Sequence, residues 1–491
     1  MPIIILGIII LASLGGLAWT WGLNFLHVLN GMRESTPFFF FAVIALILLV
    51  ITYKLKSVLA GVLVAITVVV GIGFVVTTEH NRLKTYYNES VVVVEEEKTP
   101  DYSERAPFEV ATLTSDKLLS TTGEAQETKS LSDLNDYGMW NTLIRTKGPF
   151  NGYESVQTMN LPLYGTAQSS DVEYCKFEDS NTLRHSGSMP HNNLSRAIYG
   201  IVPLNVDFDE KDSYGYCNDD DQPIVAVPLK SLDGFFYPIW KFYGVATYNG
   251  TTGELNIHTS TDAIDKIPGP VYPASLAATQ RTSIYANMDW WQQTINASGY
   301  DPTSGNTEVQ LRQLAKTDSD YVTTLIPRGS STSIVAVSYI DATEAVPGKF
   351  NKLTLNMLSD EYIRPANSTL VDDITSRYSY MPDISNGTLG VFEITAHKDG
   401  GWVASIGLEQ SVNYRAYITH DLKISLYNRD GKLISQGVGE VNPDTGETNV
   451  EITDTTNLGE LSNEELVELN KRIIDELAER ANSKPTDSED W

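Results

Sequence analysis

Three stretches of almost unbroken apolar residues open the chain: Ile3 to about Phe25, Pro37 to Tyr53, and Ser57 to Thr77. Each approaches the roughly 20 residues that a helix needs to cross bilayer hydrocarbon. The pattern therefore predicts three transmembrane helices, at about 3–25, 37–53 and 57–77, within an anchor of residues 1–78. The first run lacks a basic leader and is too long for a signal-peptide core, so it is expected to be retained. No span carries an ionisable residue at mid-depth, which disfavours a pump or secondary transporter. Small residues four apart, Ala12 with Gly16 and Gly61 with Ala65, permit close helix packing.

After the apolar segment the pattern changes to polar and punctuated sequence. Residues 79–136 read as a stalk or linker, with a β-like run at Val91–Val94, an acidic run at Glu95–Glu97 and Ser/Thr-rich sequence beyond. A first domain is expected over 137–266. It holds a short helix near Asn193–Tyr199, apolar runs at Pro223–Leu229 and Tyr243–Tyr248, and turn chemistry at Asn249-Gly250 before the alternating strand Glu254–His258.

A second domain is expected over 267–458. It opens with a helix from Pro273 to about Ile295, in which Ile284, Met288, Trp291 and Ile295 share one face. Strands follow at 333–340 and 352–358, then hairpins at 391–397 with 402–408 and at 423–427 with 432–436. Residues 459–491 give a capping box at Ser462 to Glu465, an amphipathic helix through Leu466, Leu469, Ile473 and Leu477, and an acidic tail.

Both domains read helix first and strands after. Tyr248-Asn-Gly-Thr-Thr-Gly-Glu-Leu255 also resembles Tyr427-Asn-Arg-Asp-Gly-Lys-Leu433, which hints at a duplicated unit, although turn chemistry alone produces such likeness. The expected fold class is thus a three-helix transmembrane anchor plus an α+β soluble region. Its antiparallel sheets would each carry a packed helix, similar in outline to cystatin-like or PepSY-type units, a likeness that implies no activity.

Charge sharpens this division. The chain has a formal net charge of −27, yet only three of its 35 basic and one of its 62 acidic side chains fall in the first 78 residues. So anionic a region repels phosphate backbones and anionic lipid headgroups, which excludes nucleic acid as a partner class. Lys54 and Lys56 between the second and third runs place that turn in the cytoplasm by the positive-inside rule. The expected location is a multi-pass protein of the cell membrane, with the N-terminus cytoplasmic and the C-terminal domains extracytoplasmic.

The two cysteines, Cys175 and Cys217, agree with an oxidising compartment. A bridge between them would close a loop of some forty residues and stabilise the fold by about 3 to 4 kcal/mol in the chain-entropy model. The alternative is a pair of buried thiols.

Candidate chemistry is sparse. No Walker loop, dinucleotide-binding glycine motif, His-Glu-x-x-His or Gly-x-Ser-x-Gly occurs. Asp207, Asp209, Asp212, Asp219, Asp220 and Asp221 form the densest carboxylate cluster and offer the oxygen ligands that Ca²⁺ takes, although Asp212 stands where an EF-hand needs glycine. The plain alternative is a solvated acidic loop, and no other cofactor is expected. His185 and His191 lie in a polar loop without fixed metal-ligand spacing. Trp290 and Trp291 with Tyr285 suggest a carbohydrate or peptide platform, yet Trp291 belongs to the buried helix face, only Trp290 is free to face outward, and core packing is the default for both. Six Asn-x-Ser/Thr sequons (Asn88, Asn193, Asn249, Asn296, Asn367, Asn386) matter only in a glycosylating pathway.

Tyr214-Gly-Tyr-Cys217, Val271-Tyr-Pro273 and Leu325-Ile-Pro-Arg-Gly-Ser-Ser-Thr-Ser-Ile-Val-Ala336 resemble segments of uncharacterised integral membrane proteins of actinobacteria and their phages. The likeness covers roughly Tyr137 to Leu358. It implies a prokaryotic envelope setting and supplies no catalytic residues. The expectation is a membrane-anchored binding or scaffold protein that meets the lipid bilayer, an envelope protein partner and further copies of itself. The alternatives are a tethered envelope hydrolase using Asp212 and Asp219, or a subunit of an oligomeric receptor or channel.

Overall fold

The computed structural model describes most of residues 58–437, leaving out connecting stretches such as 131–138, 165–171, 184–192, 288–298 and 303–309. The expected spans 3–25 and, Ile47 apart, 37–53 lie outside the described residues, as does the expected C-terminal helix.

Helix α1 (Val58–Ser90) runs directly into strand β1 (Val91–Val94). Helix α2 (Phe108–Leu118) precedes a first sheet, an antiparallel meander of β2 (Gly123–Ser130), β3 (Met139–Thr146), β4 (Tyr153–Asn160) and β5 (Val172–Lys176). Helix α3 (Leu194–Tyr199) leads to the second sheet: β6 (Val206–Asp207), β7 (Tyr214–Cys217), β8 (Pro223–Asp233), β9 (Ile239–Asn249) and β10 (Leu255–His258).

Helices α4 (Thr261–Ile264) and α5 (Ala274–Thr282) come next, then β11 (Tyr300–Pro302), β12 (Gln310–Gln313), β13 (Ser319–Pro327), β14 (Ser333–Ile334), β15 (Ala336–Asp341) and β16 (Leu353–Met357). All of these strands but β14 form the third sheet, and β1 completes it as an edge strand parallel to β16. Strand β14 instead pairs with β17 (Arg364–Pro365). After helix α6 (Asn367–Arg377), the fourth sheet is a meander of β18 (Gly390–Ala396), β19 (Trp402–Leu408), β20 (Ser411–Ile418), β21 (Ile424–Asn428) and β22 (Leu433–Gly437).

Apart from β1, each large sheet uses one contiguous stretch of chain, and the sheets bury their faces on one another. Strand β8 shows why. Its apolar run does not alternate with polar residues because both of its faces are covered. Val225, Val227 and Leu229 join Leu143 and Val156 of the first sheet, whereas Ile224 and Ala226 join Tyr321, Leu325 and Ile340 of the third. The fourth sheet packs Trp402, Ile406 and Ile418 with Ile334 and Ile326 from the third-sheet region. Val412 and Phe392 then return to Trp140 and Met159 of the first. A backbone hydrogen bond from Val412 N to Tyr164 O (2.9 Å) reinforces this closure. The result is a mostly β, four-blade, propeller-like arrangement.

This corrects the expected fold class. The α+β units in which each sheet is backed by its own helix are replaced by sheets that cover one another, with few and mostly short helices between them. Alternation marks a strand but not the partner of its buried face, so a covering sheet and a covering helix look the same in sequence. The expected helix from Pro273 is α-helical over Ala274–Thr282 and tightens to a 3₁₀ turn at Ser283–Asn287, and its expected remainder lies outside the described residues.

The membrane anchor is corrected as well. Among the described residues no helix is long and apolar enough to cross a membrane, so the multi-pass anchor, its orientation and the cell-membrane location lose their support. The third apolar run does not stop at Thr77. Its helix continues without a break through Glu79, Arg82, Lys84 and Glu89 to Ser90, with Leu83 buried and Tyr86 packed into the core between the sheets. Val91–Val94, expected within the linker, is a sheet strand. One apolar cluster also draws side chains from both sides of residue 266, including Phe242, Val245, Leu276 and Leu353.

Candidate functional site

Cys175 on β5 and Cys217 on β7 are bonded to one another, with Cα atoms 6.0 Å apart and a separation of 42 in sequence. The bond ties the first sheet to the second. Next to it Gly215 lets the two sheets approach, since a Cβ there would meet Val156 Cγ2 at 2.8 Å and Leu143 Cδ1 at 3.0 Å.

The six aspartates are near one another in sequence but are given separate tasks. Asp207 accepts the Tyr199 hydroxyl at 2.6 Å and the Phe208 N–H at 2.9 Å. Burial and the adjacent Asp207 push the Tyr199 hydroxyl well above its ordinary range. Asp209 caps the 3₁₀ turn Glu210–Asp212 by accepting the Lys211 N–H at 3.1 Å. Asp219, Asp220 and Asp221 build the β7–β8 turn around Asn218, whose Oδ1 accepts the N–H groups of Asp220 (3.1 Å) and Gln222 (2.8 Å). Among the described residues no group of three or more His, Cys, Asp or Glu side chains is placed to hold a metal ion.

Asp212 is different: it is buried and lies against the start of α5. Its carboxylate accepts both the backbone N–H of Ser275 (3.0 Å) and the Ser275 hydroxyl. Lys230 Nζ donates to Ser275 Oγ at 3.3 Å and sits 5.3 Å from the Trp240 ring centroid. Desolvation pushes the Asp212 carboxyl above its ordinary value, opposed by the hydrogen bonds from Ser275 and by the Lys230 charge. A carboxylate that takes up N–H groups at the first turn of a helix performs a capping task, here from a distant loop. The same contacts form a relay from amine to hydroxyl to carboxylate.

A second polar cluster escaped the sequence. The segment from Tyr102 to Ala106 crosses three sheets. Tyr102 donates to Asp320 Oδ2 in the third sheet at 2.8 Å. Arg105 pairs with Glu393 of the fourth sheet (3.1 Å), both nearly buried, and its guanidinium lies 5.1 Å from the Trp140 ring of the first. Glu104 pairs with Arg415 (3.4 Å) and accepts the Tyr417 hydroxyl at 2.9 Å. Burial, with the nearby Glu104, pushes that hydroxyl up to about 12. The only sequence signal was a Glu-Arg pair in a polar stretch, and such pairs are usually solvated.

His185, His191, Trp290 and Trp291 lie outside the described residues, as do Asn296 and Asn386. Of the sequon asparagines, Asn193 is buried and caps α3 by accepting the Arg196 N–H at 2.8 Å. Asn249 Nδ2 donates to Gln222 Oε1 at 2.7 Å. Asn193 is thus committed to the interior, whereas Asn249 is half-buried.

No family model, curated protein or solved structure matches the chain.

Proposed function

We propose that the protein is a binding or scaffold protein whose four sheets present loops and strand edges to a protein partner. The observation that supports this is the use made of its buried ionisable groups. Asp212 holds the start of α5, and the two Arg–Glu pairs hold the seam where the fourth sheet meets the first. Groups committed to holding the fold in this way suit a rigid platform. The net charge of −27 favours a partner with a basic face and disfavours nucleic acid.

Cross-linking in the native cells followed by mass spectrometry identifies neighbours, and calorimetry with the purified chain then tests each one. A stoichiometric complex that weakens with added salt is the expected result. Absence of a complex with every cross-linked neighbour would overturn the reading.

One observation favours a second reading, a hydrolase using Asp212. Its buried, upshifted carboxyl touches a serine hydroxyl that is also reached by a lysine. Asp219, the other carboxylate of that reading, sits on the exposed β7–β8 turn. A hydrolytic turnover lost on Asp212→Asn with the fold retained would favour this reading over the scaffold.

A further inference from the structure

Helix α1 has two halves of opposite character. Its C-terminal half is fixed: Leu83 and Tyr86 are buried, and Lys241 pairs with Glu89 at 3.2 Å. Its N-terminal half projects with Val62, Ile66, Val68, Val69, Val70, Ile72, Phe74 and Val76 all exposed. These side chains lie on more than one side of the helix, and contiguous apolar surface of this kind on a lone chain marks an interaction site. A helix that is apolar over such an area requires a cover.

The spacing within that surface points to the cover. Val62, Ala65, Val69, Ile72 and Val76 recur at intervals of three, four, three and four, the seam of a coiled coil, with β-branched valine at each first position. Among the described residues the two most exposed large apolar side chains lie on this seam, Val69 at 70% and Ile72 at 61%. The seam is roughly 21 Å long at 1.5 Å per residue. In a parallel pair each valine meets its own counterpart, and the charged continuations from Glu79 to Glu89 stay together at one end.

We propose that this seam is a self-association surface, along which a second copy of the chain packs its own α1 in parallel and in register. This goes beyond the scaffold reading and does not depend on it. The test uses the full chain with single substitutions, Val69→Cys on the seam and Val70→Cys beside it, oxidised under mild conditions. Val69→Cys should give an intermolecular disulfide at least tenfold faster than Val70→Cys. Light scattering should show a dimer or larger assembly that Ile72→Glu dissociates.

Ile72 lies in the projecting half, so the sheets should be retained in that variant, which near-ultraviolet circular dichroism would verify. A chain that is monomeric at all concentrations, or equal cross-linking at the two positions, overturns the proposal. In either case the apolar face is covered by something else, such as residues 3–53 of the same chain or a lipid surface.

Discussion

The hydroxyl of Tyr86 on α1 accepts the backbone N–H of Trp240 at 2.6 Å in the interior of the protein. This bond spans 154 positions in sequence and fixes the long helix to the start of β9. Tyr86→Phe keeps the ring contact with Phe350, whose centroid is 5.3 Å away, and removes the hydroxyl that accepts this bond. Loss of a partner by a buried donor costs about 1 to 3 kcal/mol. Urea denaturation should show that loss with an unchanged denaturant slope, and a variant as stable as the parent would mean that the contact adds nothing.

The same bond shows what was legible in the sequence. The strands around Pro223–Leu229, Tyr243–Tyr248 and Glu254–His258 follow from β-branched runs and an Asn-Gly turn, and they pair as β8, β9 and β10. What covered them did not follow. Tyr86 sits in a stretch that reads as a solvated stalk, and only its distant partner Trp240 makes it core. Arg105 and Glu104 escaped for the same reason, since charged residues in a polar segment are normally solvated until the fold supplies Glu393 and Arg415. The aspartate cluster was visible but misleading, because proximity in sequence placed three residues in one turn and the others at a cap, a helix start and a tyrosine.

The turn at Asn428 shares its geometry with the turn at Asn218, whereas the turn at Asn249, which it resembles in sequence, is one residue longer and its asparagine accepts the N–H groups of Thr251 and Thr252. Asn218 and Asn428 each accept two N–H groups, from Asp220 and Gln222 and from Asp430 and Lys432. Asp221 (φ 58°) and Gly431 (φ 71°) occupy equivalent left-handed positions three residues after their asparagines, whereas in the longer turn at Asn249 the left-handed residue, Gly253 (φ 75°), comes one position later. Left-handed backbone costs a residue with a Cβ about 1 to 2 kcal/mol, less for Asp. Asp221→Gly should therefore be neutral or stabilising by up to about 1 kcal/mol. Gly431→Ala should destabilise by about 1 kcal/mol through conformation alone, since an added Cβ meets nothing within 4 Å. Thermal unfolding of both variants checks the opposite signs.

The Cys175–Cys217 bond closes a long loop and links two sheets that also pack through Val156 and Gly215. Paired replacement by serine should lower stability by about 4 kcal/mol in the chain-entropy model. The parent in reducing agent should show a comparable drop in denaturation midpoint. Equal midpoints with and without reductant would show that packing alone holds the first two sheets together.

Asp212 should leave a mark on the pH dependence. Its folded-state pKa is raised, chiefly by desolvation, so the folded protein binds this proton more tightly than the unfolded chain does. The charged carboxylate thus costs stability above the raised value. That cost is relieved as pH falls through the raised value toward the ordinary carboxylate range. Lys230, Asp209 and Ser275 face the group, and Tyr321 senses its charge. Asp212→Asn, which keeps an acceptor for the Ser275 N–H, should remove the effect. The parent should therefore gain stability relative to the variant as pH falls through the raised value, and a constant difference would contradict the assignment.

The seam between the first and fourth sheets offers the most severe test. Arg105 and Glu393 are 6% and 9% exposed at the side chain, with the guanidinium near Trp140. Removing one member of a buried pair leaves the other charge uncompensated, at a cost of about 3 to 5 kcal/mol, whereas apolar replacement of both is often neutral. Arg105→Met alone should be strongly destabilising. The double change with Glu393→Leu should recover most of the loss, giving a large coupling energy in a double-mutant cycle. The neighbouring pair of Glu104 with Arg415 differs because Glu104 is 34% exposed, so solvent screens it and Glu104→Gln should cost much less. If the two single variants lost equal stability, burial would not be what distinguishes the pairs, and the first and fourth sheets would owe their closure to the apolar contacts of Trp140, Met159 and Val412 instead.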